Sequence, residues 1–307
     1  MATPAGNPTT VTSISNLVQT AYDQYVRMAL RSIPVMRAIA DVKPNQQAMP
    51  GSSVVFSIYS DLSAATSTLT ETSDVSSIAL GNPSQVTVTL QEYGSAVTTT
   101  KKLSLTSFND VDSALADIIA YNAADSIDSI VASVLTGGSN VIYAGTATQR
   151  TGITSTMTIS VADIREAVTQ LRSNKALPRI GELYAAYLHP RQSADLRAES
   201  GTGGFQELTK YVERTPFVAG AVGVIEGAFV VETPRVPSVA STTTVYQGIV
   251  AGREALAEAM AQDISTVIGP EIDALRRFRT IGWYYMGGFA RLREAALYRI
   301  ESATSIN

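Results

Sequence analysis

Nucleophilic catalysis needs a base beside the nucleophile, and this 307-residue chain has one histidine, His189, and no cysteine. His189 precedes Pro190 at the end of an apolar run, and no G-x-S-x-G elbow accompanies it, so its reading is a structural residue at a strand end. The glycine-rich GTGG at 201–204 lacks the lysine of a phosphate-binding loop and does not open a helix after a strand. Neither an H-E-x-x-H nor an EF-hand pattern occurs. Asp125 and Asp128 stand one helical turn apart and read as part of a solvated helix face. No catalytic, cofactor-binding or metal-binding residue is assigned, and the chain is not expected to be an enzyme.

Positive charge is concentrated in Arg276, Arg277 and Arg279, followed by Arg291, Arg293 and Arg299. Such a cluster could face nucleic acid held loosely inside a particle; pairing with Asp and Glu, across subunits or along sheet faces, is the plainer alternative. A net charge of -4 argues against gripping nucleic acid as the main task, since phosphate binding needs clustered cations. Charged residues make up only 16% of the chain while hydrophobic ones make up 45%, the deficit being filled by Ser, Thr and small residues. A surface so poor in charge fits burial against other copies. The start, MATPAGNPTTVTSISNL, lacks the basic and apolar regions of a secretory signal, and runs such as VGVIEGAFVV from Val222 are too short to span a bilayer. Cytosolic synthesis and no membrane partner are expected.

The elements that would hold these residues centre on Thr106 to Gly138. Apolar residues at Val111, Leu115, Ile118, Ile119, Ile127, Ile130, Val131, Val134 and Leu135 have helical spacing and predict one long amphipathic spine helix, with Leu115, Ile118, Ile119 and Val131 facing a core. Thr106 or Ser107 would cap it, Asp110 and Asp112 would meet the positive end of its dipole, and Gly137-Gly138 would supply a left-handed terminating residue. Before it, residues 1 to about 15 read as an arm and Asn16 to about Ser32 as a short helix. Val54, Phe56 and Ile58, then Val86, Val88 and Leu90, alternate with period two and predict two matching strands. The polar passage between them is too long for a tight turn and fits a two-stranded arm lying on a neighbouring molecule.

Beyond the spine, a helix is expected from Val161 to Ser173 with Ile164, Ala167, Val168 and Leu171 inward. A buried strand in ELYAAYLHP should lead into a helix at Pro190. A hairpin turning at Glu226-Gly227, a strand from Thr242 to Gly252, a short helix from Arg253 to Ala261 and strands around Ile281 to Tyr285 complete the reading.

This order, and the stretches 184-YAAYLHPRQSADLR-197, 224-VIEGAFVVETP-234, 251-AGREALAEA-259, 273-DALRRFRTIGWYYMGGFARL-292 and 299-RIES-302, resemble the major capsid proteins of tailed bacteriophages with the HK97-type fold, specifically the N4-gp56-like family. The resemblance implies an α+β subunit with an N-arm and short helix (1–47), an extended E-loop (48–100), a P-domain with the spine helix (101–139 and 263–307) and an A-domain (140–262). It implies self-assembly into hexamers and pentamers of an icosahedral shell around double-stranded DNA that is touched only loosely, no cofactor, and partners among scaffold, cement or decoration, and portal proteins. The virion, after assembly in host cytoplasm, would be its location. Phe56, Ile58, Val86, Val88 and Leu90 would lie between subunits, and Arg276, Arg277 and Arg279 could form an inner basic cluster. Some shells of this fold crosslink through Lys and Asn; Lys101 and Lys102 are available, but no crosslink is expected. An encapsulin-like nanocompartment shell and a soluble α/β enzyme are the alternatives.

Overall fold

The computed structural model describes residues 33–44, 52–69, 71–72, 74–75, 77–106, 111–200, 221–271 and 273–306. The expected N-terminal arm, the helix after Asn16 and the GTGG loop lie outside them. Chain order runs from a 3-10 turn (Met36–Ile39) into β1 (Ala40–Pro44), then β2 (Ser53–Ile58), β3 (Ser84–Thr89) and β4 (Gln91–Thr100). Helices α1 (Lys101–Thr106) and α2 (Val111–Thr136) follow. Next come β5 (Val141–Tyr143), α3 (Val161–Ser173), β6 (Tyr184–Leu188) and α4 (Pro190–Ala198). The remainder is strand: β7 (Ala221–Ile225), β8 (Ala228–Glu232), β9 (Ser238–Ala240), β10 (Thr244–Ala251), β11 (Leu256–Ile268), β12 (Phe278–Arg291) and β13 (Leu297–Ser302).

Two sheets carry the body. One has the order β1-β11-β12-β4; the other runs β5-β13-β10-β6-β8-β7, with β9 also paired to β10. The spine helix α2, about 39 Å long at 1.5 Å per residue, joins them. Its first half lays Ile119, Ala123 and Ile127 on Ile281, Trp283 and Tyr285 of β12. Its second half buries Val131, Ala132 and Leu135 with Ile39, Leu256, Ile249 and Leu297, where the two sheets meet. One span, Leu115–Thr136, is long and apolar enough to cross a membrane, at a mean hydropathy of 1.3. Its contacts with both sheets account for that apolarity as core.

Several expectations hold. The helix α3 has the expected bounds, buries Ile164, Ala167, Val168 and Leu171, and starts in a capping box between Ser160 and Asp163. The strand β6 is buried throughout and runs through His189 into α4, with Pro190 in its first turn. The β7–β8 turn has Glu226 at φ 49° and Gly227 at φ 85°, the two left-handed residues that a twisted hairpin favours.

Others are corrected. Helix already occupies Lys101–Thr106, before the expected start, and resumes in the described residues at Val111; Ser107 to Asp110, where the expected cap and first acid fall, lie outside the described residues. Neither Gly137 nor Gly138 is left-handed; their N–H groups bond back to Val134 and Leu135 at 3.3 and 3.4 Å. A Cβ at Gly137 would lie 2.7 Å from the Arg291 guanidinium, so that side chain would have to shift to admit one. Ile118 is 46% exposed, whereas Ile119 is 4% exposed and Val131 fully buried, with Leu115 at the margin of the core. Arg253 to Ala261 is not helical: Leu256 onward is a central strand, because Ala257 and Ala259 are needed small beneath β3 while Leu256 and Met260 face the spine. Packing on both faces overrides alanine's helix preference. Finally, β4 pairs along its length with β12, and β13 sits between β5 and β10 in the larger sheet.

These placements separate two adjacent isoleucines. Ile119→Asp should cost several kcal/mol, enough to prevent folding, while Ile118→Asp should stay within about 0.5 kcal/mol of the parent in chemical denaturation. Equal effects would contradict the observed rotation of α2.

Candidate assembly surfaces

The most distinctive surface is a ribbon. Strands β2 and β3 pair from Ser53↔Thr89 to Ile58↔Ser84 and form a sheet of their own. One face of its root is held: Val88 and Leu90 are buried, and Val54 and Phe56 half-buried, over Ala257, Ala259, Met286, Ala290 and Leu292. Val88 and Leu90 are thus committed to their own chain, whereas Val86 and Ile58 are only half-buried. Gly288 makes this crossing fit, since a Cβ there would lie 2.2 Å from the Thr89 carbonyl oxygen. The second glycine of WYYMGG therefore marks where arm and body cross.

Past Ile58 none of the described residues lies in a helix or strand until Ser84. Every described residue from Tyr59 to Asn82 is exposed, including Leu62, Leu69, Val75, Ile78 and Leu80 at 58–76%. Large side chains exposed in such number on one excursion mark a contact surface.

Beneath the arm, the segment before β1 is fastened by buried charge. Asp128 is 1% exposed and accepts the backbone N–H groups of Met36 at 2.6 Å, Arg37 at 3.1 Å and Val35 at 3.4 Å. Arg235 lies 3.6 Å from it and also pairs with Asp125. The expectation of a solvated acidic face is therefore wrong for Asp128. Burial pushes its carboxyl upward, against the pull of the three N–H donors. Arg37 in turn meets Glu258, itself fully buried, with Nη2 at 2.7 Å and Nε at 3.1 Å, and reaches Asp263 at 3.1 Å. Burial alone would favour losing the Arg37 proton; the bonds to Glu258 and Asp263 outweigh it and hold the pKa above its ordinary value. The Tyr285 hydroxyl donates to Glu258 at 2.9 Å, and burial together with that carboxylate raises its pKa. Asp41 accepts from Arg179 at 2.9 Å and from the Glu254 N–H at 2.8 Å. The missed signal was spacing: Asp128 stands three, four and seven residues before Val131, Ala132 and Leu135, inside the apolar stripe.

The remaining candidate residues are structural or exposed. His189 Nδ1 accepts the Arg191 N–H at 3.2 Å and its ring lies 4.4 Å from that of Tyr246; burial, then Arg191, lowers its pKa. Arg277 pairs with Asp273, Arg291 with Glu294, Arg293 with Glu254, and Arg299 lies 2.8 Å from buried Glu301. Arg276 and Arg279 are exposed at the β11–β12 end. Among the described residues no group of three His, Asp or Glu is placed to hold a metal.

The family model described as phage capsid protein matches residues 9–306. The chain belongs to the phage capsid protein family. The structure is similar to the capsid of Ralstonia phage GP4, at a TM-score of 0.75 and 15% identity over 97% of this chain and 98% of that one. It is also similar to the capsid of Helicobacter pylori bacteriophage KHP30, at 0.74 and 16% over 96% and 99%, and to that of cyanophage P-SCSP1u, at 0.73 and 18% over 95% and 94%. No match was found among curated proteins. The fold is thus α+β and HK97-like, and the molecule is a capsid shell protein that associates with itself in the virion's capsid, in a family that is not one of enzymes.

In this capsid protein Asp128→Ala should lower stability by about 3–5 kcal/mol, read as a fall in Tm, because Arg235 and the N–H groups of Val35, Met36 and Arg37 lose their acceptor. Glu301 gives an acid limit. Burial works to raise its pKa, but bonds from Arg150 and Gln247 and the charge of Arg299 win and lower it from 4.5. An acid with a lowered folded pKa stabilises the fold above its unfolded value and loses that contribution as pH falls through the folded one. Stability of the parent should decline below about pH 4.5, and Glu301→Gln should flatten that decline.

Proposed function

We propose that this protein is the major subunit of the icosahedral head of a tailed bacteriophage, enclosing double-stranded DNA, and that it belongs to the N4-gp56-like group of the family. Hexamers and pentamers assembled in host cytoplasm are the units, scaffold, cement and portal proteins are partners of the particle, and DNA is touched only loosely. The motifs quoted above support the group, notably WYYMGGFARL at 283–292. The chain carries no enzymatic activity in this reading.

The observation that carries the proposal is the arm. A loop whose described residues from Tyr59 to Asn82 are all exposed, Leu62, Leu69, Val75, Ile78 and Leu80 among them, has its burial in a neighbouring subunit. In domain terms, residues 1–47 are the N-arm, 48–100 contain the E-loop, 101–139 with 263–307 form the P-domain, and 140–262 form the A-domain that meets its copies around five- and six-fold axes. Two refinements follow from sheet membership: the arm proper is Ser53–Thr89, and Leu297–Ser302 goes with the A-domain sheet. Each Å² of apolar surface buried between subunits contributes roughly 25 cal/mol, repeated around a closed shell.

Joining Ser60 to Pro83 by deleting residues 61–82 should leave the body folded, with unchanged circular dichroism and thermal unfolding, and abolish shells in electron microscopy. Normal shells from that variant would refute the role given to the arm.

A further inference from the structure

The two edges of the four-stranded sheet are built differently. At one edge β1 is five residues long and is closed by a side chain: Arg179 donates to the carbonyl oxygens of Ala38 and Ala40, both at 3.0 Å, and to Asp41 at 2.9 Å. At the other edge β4 has ten residues, about 30 Å of strand, and is the longest edge strand among the described residues. Its register with β12 runs without a bulge from Thr100↔Phe278 to Gln91↔Gly287, and no described strand pairs on its far side. Backbone N–H and C=O groups along such an edge are a template for another strand, and proline, lysine or a bulge is the usual defence. QEYGSAVTTT has none of the three; Glu92 is its one charge, and it accepts the hydroxyl of Tyr284 in its own sheet. Gln91, Glu92 and Gly94 to Thr98 are exposed, Val97 at 40%.

The two ends of β4 differ in charge. Glu92 stands near its start, while Lys101 and Lys102, both exposed, follow its end at the head of α1, with exposed Leu103 and Leu105 after them. Residues directly opposite in an antiparallel ladder turn their backbone groups the same way, so two copies of one strand pair about a two-fold axis only with like residues facing at the axis. With Val97 facing Val97, Ser95 faces Thr99 and Glu92 reaches the level of Lys102. The symmetry repeats that match at both ends, and the small, neutral Gly94 and Ala96 lie between.

We propose that β4 of one copy pairs antiparallel with β4 of a second copy across a two-fold axis, with Val97 at the centre, joining two four-stranded sheets into one of eight; this rests on the assembly reading above and names a contact separate from the arm. The contact is isologous, so each pair of copies closes on itself. Main-chain bonds hold the two strands, and the charges at the ends set their register. An extended segment of a different protein is the weaker occupant: it would need a cation at the Glu92 end and an anion at the Lys102 end, which a second copy brings already in register.

The chain has no cysteine, so a single introduced one reports its neighbour directly. Val97→Cys in the full chain, oxidised after assembly and run without reducing agent, should give covalent dimers as the main species, because opposite Cα atoms in a ladder lie about 4.5–5.5 Å apart, within disulfide reach. Ser95→Cys, about 13 Å from its own image along the strand, should give at least tenfold less. Adding Glu92→Lys to Val97→Cys should lower the dimer yield at least fivefold, and adding Lys101→Glu and Lys102→Glu to that chain should restore it, with circular dichroism unchanged throughout. Shells that form from Val97→Cys with no crosslink above the Ser95→Cys level overturn the pairing and leave the assembly reading standing. If the cysteine in those shells is also shielded from a thiol reagent, a chain other than a second β4 holds the edge, and the occupant named here is overturned. Crosslinked dimers that never close into shells support the pairing and refute the shell; a parent chain that stays monomeric in every condition refutes both.

Discussion

The arm between Ile58 and Ser84 holds five large aliphatic side chains in water with no core of its own, and a paired ribbon that short is marginally stable alone. Its geometry can be kept only by what lies under its root. There the alanines of β11 and Gly288 of β12 let Val88 and Leu90 sink into the body, so the ribbon leaves the sheet at a fixed place although the described residues from Tyr59 to Asn82 are exposed. A subunit that holds a loop with five exposed aliphatic side chains is complete only among copies of itself.

Rigidity under the root comes from charges removed from water, which are tolerated because every one is matched. Glu258 is buried on the spine side of the same strand whose alanines bear the arm, and it is answered by Arg37 and the Tyr285 hydroxyl. Asp128 holds the turn that carries Arg37. The two carboxylates therefore act in series: the spine positions the turn, the turn positions Arg37, and Arg37 neutralises the strand beneath the arm. Such networks fix geometry more than they add stability, since desolvation offsets much of the attraction. Fixed geometry is what a repeating shell needs from its subunit.

Much of this was legible in the sequence where local pattern and tertiary environment agree. The period-two runs at Val54 and Val86, the capped helix from Val161, the Pro190 helix start and the Glu226-Gly227 turn are short-range signals, and the fold honours them. The failures lie where long-range contacts decide. Arg253 to Ala261 reads as helix by alanine content, but its small residues are there to admit the arm root from far away in sequence. Ile118 and Ile119 are equivalent to a periodicity rule until the sheet beneath the helix fixes its rotation. Asp128 looked like a surface carboxylate because its partners, the backbone of residues 35–37 and Arg235, are distant along the chain and carry no motif. The surfaces between copies were readable only indirectly, from little charge, many small polar residues, and a polar passage too long for a tight turn between two matching strands.

Self-assembly of the full chain is the claim on which everything else rests, and electron microscopy of the purified protein expressed alone, with its mass from light scattering, tests it most directly. Closed shells, or rings of five and six subunits at the corresponding mass, are the expected result. A compact monomer that persists under assembly-favouring salt and with scaffold supplied would contradict the account.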